Sequence, residues 1–264
     1  IRVPIKWSSR TAGQPPYKIE ETFFKRVDWV LDQAQKNGLK VVINVHHFEE
    51  LMKEPDAQLP RLVSMWTQIG ERYKGRPNSV FFELLNEPMG ALNKKKWNDM
   101  IPPVLAAVRK TNPNRTVIIG PGDWNGIGGL AELKLPKDSN LMATVHFYDP
   151  FQFTHQGASW VGPDAQKWLG TKWTGSEAER KTIGDRLKVA ADWGKANGVQ
   201  VLVGEFGAFS AADNESRARW TAFVARECER LGMSWSYWEL ASGFGAYDPQ
   251  KKEWRSALKA ALVP

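Results

Sequence analysis

Short runs rich in Val, Ile and Leu alternate along this chain with longer stretches whose apolar residues recur every three or four positions. The first kind fits buried strands and the second amphipathic helices, and their alternation is the pattern of βα units around a parallel sheet. Residues 1–5 read as a strand. Over residues 20–37, Phe23, Phe24, Val27, Val30, Leu31 and Ala34 share one helical face, and Gly38 ends it. The same reading gives strands over 39–45, 79–87, 116–120, 141–146, 199–205 and 233–238. Helices are predicted over 62–73, 93–111, 177–197 and 214–230, with a tryptophan-bearing insertion (Trp160, Trp168, Trp173) before the third of these.

That makes seven strands, one short of a closed (β/α)8 TIM barrel, and the chain starts inside a strand. The expectation is therefore an α/β barrel lacking its first βα unit, with residues 1–264 forming a single catalytic domain. Such barrels commonly run to ~250 residues as one unit. With 42% apolar and 25% charged residues the composition is that of an ordinary globule. Its only cysteine, Cys228, leaves no intrachain disulfide to form.

The formal charge of +7 is scattered apart from Lys94-Lys95-Lys96 and Lys251-Lys252, which read as solvated faces, so no nucleic-acid partner is expected. No apolar stretch approaches the ~18 residues that cross a bilayer, so no membrane partner is expected either. Nothing at the N-terminus has the form of a signal peptide, which decides little if the first unit is missing. Secretion by a bacterium is the expectation, with the cytoplasm as the alternative.

Chemistry gathers at the strand ends. Glu87 closes the run Ser79-Val-Phe-Phe-Glu-Leu-Leu-Asn-Glu87, and Glu205 closes Val199-Gln-Val-Leu-Val-Gly-Glu205. Either glutamate alone could cap the following helix. Two of them, framed by Asn-Glu-Pro and Gly-Glu-Phe-Gly, suggest the carboxylate pair of acid/base glycoside hydrolysis. Parallel strands of a barrel would bring Arg2, His46, His47, Asn86, Trp124, His146, Tyr148 and Trp238 to the same rim.

Arg2-Val3-Pro4, His46-His47, Asn86-Glu87-Pro88, His146-Phe147-Tyr148, Gly204-Glu205-Phe206-Gly207 and Trp238-Glu239 occur in an order and at spacings that resemble glycoside hydrolase family 5 over essentially the whole chain. The segment from Tyr148 through His155 to Trp160 is similar to thermophilic members acting on β-glucan and β-mannan. The resemblance implies a retaining endo-β-1,4-glycanase on β-linked polysaccharide or oligosaccharide, without metal or cofactor. It makes Glu87 the acid/base and Glu205 the nucleophile, with Arg2 and Tyr148 as partners of the latter. It also implies that Asn86 meets the sugar 2-hydroxyl, that His46 and His146 shape the cleavage subsite, and that His47, Trp124, His155, Trp160 and Trp238 belong to the substrate surface.

Other readings stay open. A β-mannanase or exo-glucosidase would use the same framework, and an open barrel could be an inactive sugar-binding module. His46-His47 could ligate a metal, but adjacent strand residues face opposite ways and no clustered carboxylate accompanies them. The thirteen tryptophans could be core residues, although several fall in rim loops suited to stacking on pyranose rings. Glu83, roughly 13 Å deeper than Glu87 on the same strand face, should be a buried, paired, structural charge.

Overall fold

A computed structural model describes residues 1–264. Seven strands, β1 (Arg2–Val3), β2 (Val41–Asn44), β3 (Val80–Glu83), β4 (Val117–Ile119), β5 (Leu141–Phe147), β6 (Gln200–Phe206) and β7 (Ser234–Trp235), follow one another in a sheet in chain order. The helices are α1 (Glu21–Lys36), α2 (Glu49–Lys53), α3 (Pro55–Tyr73), α4 (Lys94–Arg109), α5 (Phe151–Thr154), α6 (Asp164–Lys167), α7 (Glu177–Asn197), α8 (Asn214–Arg230) and α9 (Ser256–Leu262). A small antiparallel hairpin, β8 (Tyr247–Asp248) and β9 (Glu253–Trp254), precedes α9. The chain divides into two compact units, Ile1–Thr144 and Val145–Pro264, with β5 running through the boundary.

In the first unit β1 to β5 pair in parallel, with Arg2 opposite Val42, Ile43 opposite Phe82, and Val117 opposite Leu141. Parallel strands covered by helices bury both faces, which is why the runs read as almost continuously apolar. Where β2, β3 and β4 give out, a carbonyl loses its ladder partner, and a buried indole supplies one. Trp7 donates to the Asn44 carbonyl (3.0 Å), Trp66 of α3 to Leu84 (2.9 Å) and Trp97 of α4 to Gly120 (2.8 Å). All three rings are fully buried, so each satisfies a strand-end acceptor while filling the core. Buried Arg115 works similarly at the opposite ends, donating to the carbonyls of Tyr73, Arg76, Pro77 and Val80 between α3 and β3.

In the second unit β6 and β7 pair in parallel, Leu202 opposite Ser234 and Val203 opposite Trp235. Trp220 of α8 repeats the indole device, donating to the Asp149 carbonyl (3.0 Å) just past β5. Ser176 and Glu179 form a reciprocal capping box at the start of α7, Gly198 closes its end at φ +66°, and Asp213 caps α8. Both helices therefore begin and end where the sequence predicts. No helix of the chain is long and apolar enough to cross a membrane.

Several predicted strands are shorter than expected. β3 stops at Glu83, so Glu87 lies four residues beyond it, and β7 stops at Trp235, three residues before Trp238. Glu205, in contrast, lies within β6 and does not close it. Residues 45–48 follow β2 outside any strand, which removes the alternation argument applied to His46 and His47.

Candidate active site

In the first unit the site residues hang from the ends of β1, β2 and β3. The Arg2 side chain is 4% exposed and forks onto Glu83, Nε to Oε2 at 2.6 Å and Nη2 to Oε1 at 2.7 Å. Nη2 also donates to Asn86 Oδ1 at 2.7 Å. A bidentate pair fixes both groups in one plane, and fully buried Glu83 requires such a cation. The structural role expected of Glu83 is what the structure gives it. Asn44, the last residue of β2, accepts from the Ile5 N–H through Oδ1 (3.2 Å) and lies 3.2 Å from His46 Nδ1 through Nδ2. Its amide is thereby oriented, so His46 Nδ1 accepts and the network assigns the ring proton to Nε2.

Glu87 is half-buried and sits at φ +47°, a left-handed conformation that costs a non-glycine residue on the order of 1 kcal/mol. Its neighbours hold the turn, the Asn86 N–H on the Val45 carbonyl (2.9 Å) and the Pro88 carbonyl on the Trp124 N–H (3.1 Å). Trp124 is itself in a left-handed run with Asp123 and Asn125, and is exposed beside a groove of about 490 Å³ that Met89, Asn93 and Lys94 also line. His47 is exposed at φ +52°, its ring edge-on to His46 with centroids 4.4 Å apart.

The second unit places Glu205, 5% exposed, under two side chains from the end of β5 and its following loop. The Tyr148 hydroxyl donates to Glu205 Oε2 at 2.8 Å, and His146 Nδ1 lies 3.5 Å from the same oxygen. Just past β6, a Cβ on Gly207 would stand 2.1 Å from the Trp238 carbonyl oxygen, so only glycine admits that approach. The half-buried Trp238 is further tied by its N–H to the Phe206 carbonyl at 2.8 Å. Glu239 then organises the next turn, its carboxylate accepting from the N–H groups of Ala241, Ser242 and Phe244.

His155 is buried, stacked on Phe151 (4.1 Å) and edge-on to Tyr148 (4.9 Å). The Thr154 hydroxyl donates to the Tyr148 carbonyl at 2.6 Å, so its lone pair faces His155 Nδ1 at 3.0 Å and the proton belongs on Nδ1. Burial lowers the His155 pKa to about 4, leaving a neutral ring with Nε2 as an acceptor. Trp160 is 61% exposed and stands edge-on over Phe209 at 4.9 Å.

Asn44, Thr154 and Phe244 escaped the sequence reading. Asn44 left a signal, a lone amide inside an apolar strand run, whereas Phe244 lies in a glycine-rich stretch with no period to mark it. Tryptophan count was a poor guide to the substrate surface: Trp7, Trp66, Trp97, Trp173 and Trp220 are buried structural residues, while Trp124 and Trp160 present their rings to solvent.

The family model for cellulase, glycosyl hydrolase family 5, matches residues 1–243. The chain belongs to glycosyl hydrolase family 5. Among curated relatives, this family 5 chain is 34% identical over 248 residues to Endoglucanase H of Acetivibrio thermocellus, covering 94% of the chain and 26% of that protein. It is 26% identical over 269 residues to Endoglucanase 3 of Fibrobacter succinogenes, covering 88% of the chain and 41% of the relative. The chain thus spans between a quarter and about two fifths of the length of these two relatives. Among solved structures, Thermotoga maritima Cel5A in complex with cellobiose matches with a TM-score of 0.97 and 46% identity, over 99% of this chain and 85% of that one. The same T. maritima protein has been solved with mannotriose as substrate. The fold class expected from the strand pattern, an α/β barrel, is that of these family 5 structures.

Proposed function

We propose that this family 5 chain is a retaining endo-β-1,4-glucanase that cleaves β-glucan by double displacement, with Glu87 as acid/base and Glu205 as nucleophile. The observation that carries the reading is Glu205 itself, a nearly buried carboxylate in β6, one residue before its end, with one oxygen fixed by the Tyr148 phenol. A nucleophile must present its other oxygen to the anomeric carbon in a set orientation, and a phenol held in an aromatic cluster supplies that constraint. Glu87, half-buried in its left-handed turn, suits a group that exchanges protons with leaving group and water.

The steps balance as follows. The protonated Glu87 carboxyl gives its proton to the glycosidic oxygen as the C1–O bond breaks, and a Glu205 oxygen forms an ester to C1. Glu87, now a carboxylate, takes a proton from a water whose oxygen attacks C1, and Glu205 leaves as the carboxylate it was. Arg2 occupies the Asn86 carbonyl oxygen, so the amide Nδ2 is the atom left to donate to the sugar 2-hydroxyl. His46, through Nε2–H, and His146 line the cleavage subsite. Trp124, Trp160 and Trp238 serve as stacking platforms, with His47 and His155 offering polar contacts beside them.

A second reading, β-mannan as an additional substrate, is favoured by one finding: the 46%-identical T. maritima relative was solved with mannotriose as well as cellobiose. Glucan and mannan differ in the configuration at C2, where Asn86 would bind. Reducing-sugar release from carboxymethylcellulose, glucomannan, mannan and cello-oligosaccharides, with chromatography of the fragments, tests both readings. The expected result is a ladder of soluble oligosaccharides from glucan, their first-formed anomer β by NMR. Release of the α-anomer first would overturn the double displacement, and production of one small fragment alone would overturn the endo mode.

A further inference from the structure

From the packing beneath the end of β6 we infer that Arg217 is a positioning residue for the nucleophile, acting through the backbone of Phe244; the inference rests on Glu205 being that nucleophile. Arg217 lies on α8, 1% exposed, and none of its partners is a carboxylate. Its Nε donates to the Ala208 carbonyl (3.0 Å), three residues past Glu205, and its Nη2 donates to the Phe244 carbonyl (3.1 Å). The buried Arg115 staples the end of α3 to the start of β3, the opposite end of that strand from Asn86 and Glu87. Arg217 instead joins the two loops that follow Glu205 and Trp238.

The Phe244 carbonyl also accepts from the Tyr237 hydroxyl at 2.8 Å, so two buried donors converge on one oxygen. The ring of Phe244 is thereby presented edge-on to Tyr148 (6.1 Å) and to His155 (5.6 Å). Tyr148 in turn donates to Glu205. The resulting chain runs from guanidinium to Phe244 backbone, from Phe244 ring to Tyr148 ring, and from phenol to carboxylate. A buried cation without a counter-ion is destabilising unless its donors are used, and here they are used on the carbonyls that set where this aromatic wall stands. Neither Arg217 nor Phe244 reaches the reacting atoms; what they fix is the direction from which Tyr148 approaches Glu205.

The test is the rate of covalent labelling by 2,4-dinitrophenyl 2-deoxy-2-fluoro-β-cellobioside. Glu205 forms the ester to C1 as dinitrophenolate leaves with the bonding pair, needing no proton from Glu87, and the fluorine slows hydrolysis so that the adduct accumulates. Arg217→Met should lower the limiting labelling rate on the order of 10- to 100-fold, the scale of a misaligned reacting group, with the inhibitor's half-saturation concentration little changed. Arg217→Lys should recover part of that rate, and Tyr237→Phe, losing one of two donors, should lose about threefold. Arg115→Met is the control: it lowers the melting temperature while labelling at the wild-type rate. Should Arg217→Met not fold, Tyr237→Phe decides alone. Wild-type labelling rates in the folded variants, or equal slowing by Arg115→Met, overturn the inference. A wild-type adduct mapped by mass spectrometry to a residue other than Glu205, or no adduct at all, overturns the nucleophile assignment and this inference with it.

Discussion

Glu205 and Glu87 stand in different surroundings, and the difference carries their proposed division of labour. Glu205 is nearly buried and held by a phenol; Glu87 is half-buried on a strained turn. Glu205→Gln should abolish turnover on every substrate, including an activated aryl glycoside. Glu87→Gln should lose polysaccharide hydrolysis by several orders of magnitude yet keep its first, burst-phase step on the aryl glycoside, whose leaving group needs little protonation. A burst from Glu205→Gln instead would mean the roles are exchanged. His155 supplies a second residue-level prediction. Burial lowers its pKa to about 4 from an ordinary 6.5, so the unfolded chain binds the extra proton between those values and stability must rise with pH across that window. The contribution is full above pH ~6.5, falls away as pH drops through ~4, and amounts to at most roughly 3 kcal/mol. Urea unfolding of wild type and His155→Gln at intervals from pH 4 to 7 should show the two stability curves converging toward the acid end. Parallel curves would count against a neutral buried imidazole.

Among the elements, what could be read beforehand depended on how locally each boundary is determined. The limits of α7 and α8 are set by adjacent residues, Ser176 with Glu179 and Asp213 with Ser216, and were legible. Strand ends are set by partners far along the chain. The sequence carries β3 through to Glu87 because Leu84 and Leu85 continue the apolar run, yet the pairing with β4 gives out at the Leu84 N–H on the Ile118 carbonyl (3.0 Å), and the turn at Glu87 is fixed by Val45 and Trp124. The C-terminal hairpin and α9 are not legible in the sequence, since two-residue strands and a seven-residue helix carry too little periodicity. The same distinction separates two substitutions. Ser176→Ala removes a local cap and should cost about 1 kcal/mol with kcat unchanged. Gly207→Ala would drive a methyl group into the Trp238 carbonyl, 2.1 Å away, and should destabilise by roughly 1–3 kcal/mol while also lowering kcat, since β6 carries Glu205. Thermal melts paired with cello-oligosaccharide kinetics check both; an active, stable Gly207→Ala would show that the loop yields without disturbing Glu205.

For the whole molecule, the net charge of +7 is plain from the sequence, but its consequence depends on the substrate. Many of the surface ion pairs join two exposed side chains, as Lys95–Asp99 and Lys181–Asp185 do, and such pairs contribute little to stability. The excess of positive charge therefore acts as a field over the surface, one that raises the local concentration of anionic polymers and leaves neutral ones unaffected. Carboxymethylcellulose is polyanionic, whereas cellopentaose carries no charge at all. Salt shortens the Debye length from ~30 Å at 0.01 M to ~3 Å at 1 M, so raising it should remove the attraction and leave the chemistry alone. KM for carboxymethylcellulose should rise several-fold across that range, with kcat steady, while kcat/KM for cellopentaose stays flat. Equal responses would mean that salt acts on the protein itself, and a flat response to both would mean that the charge lies away from the path the polymer takes to Glu87 and Glu205.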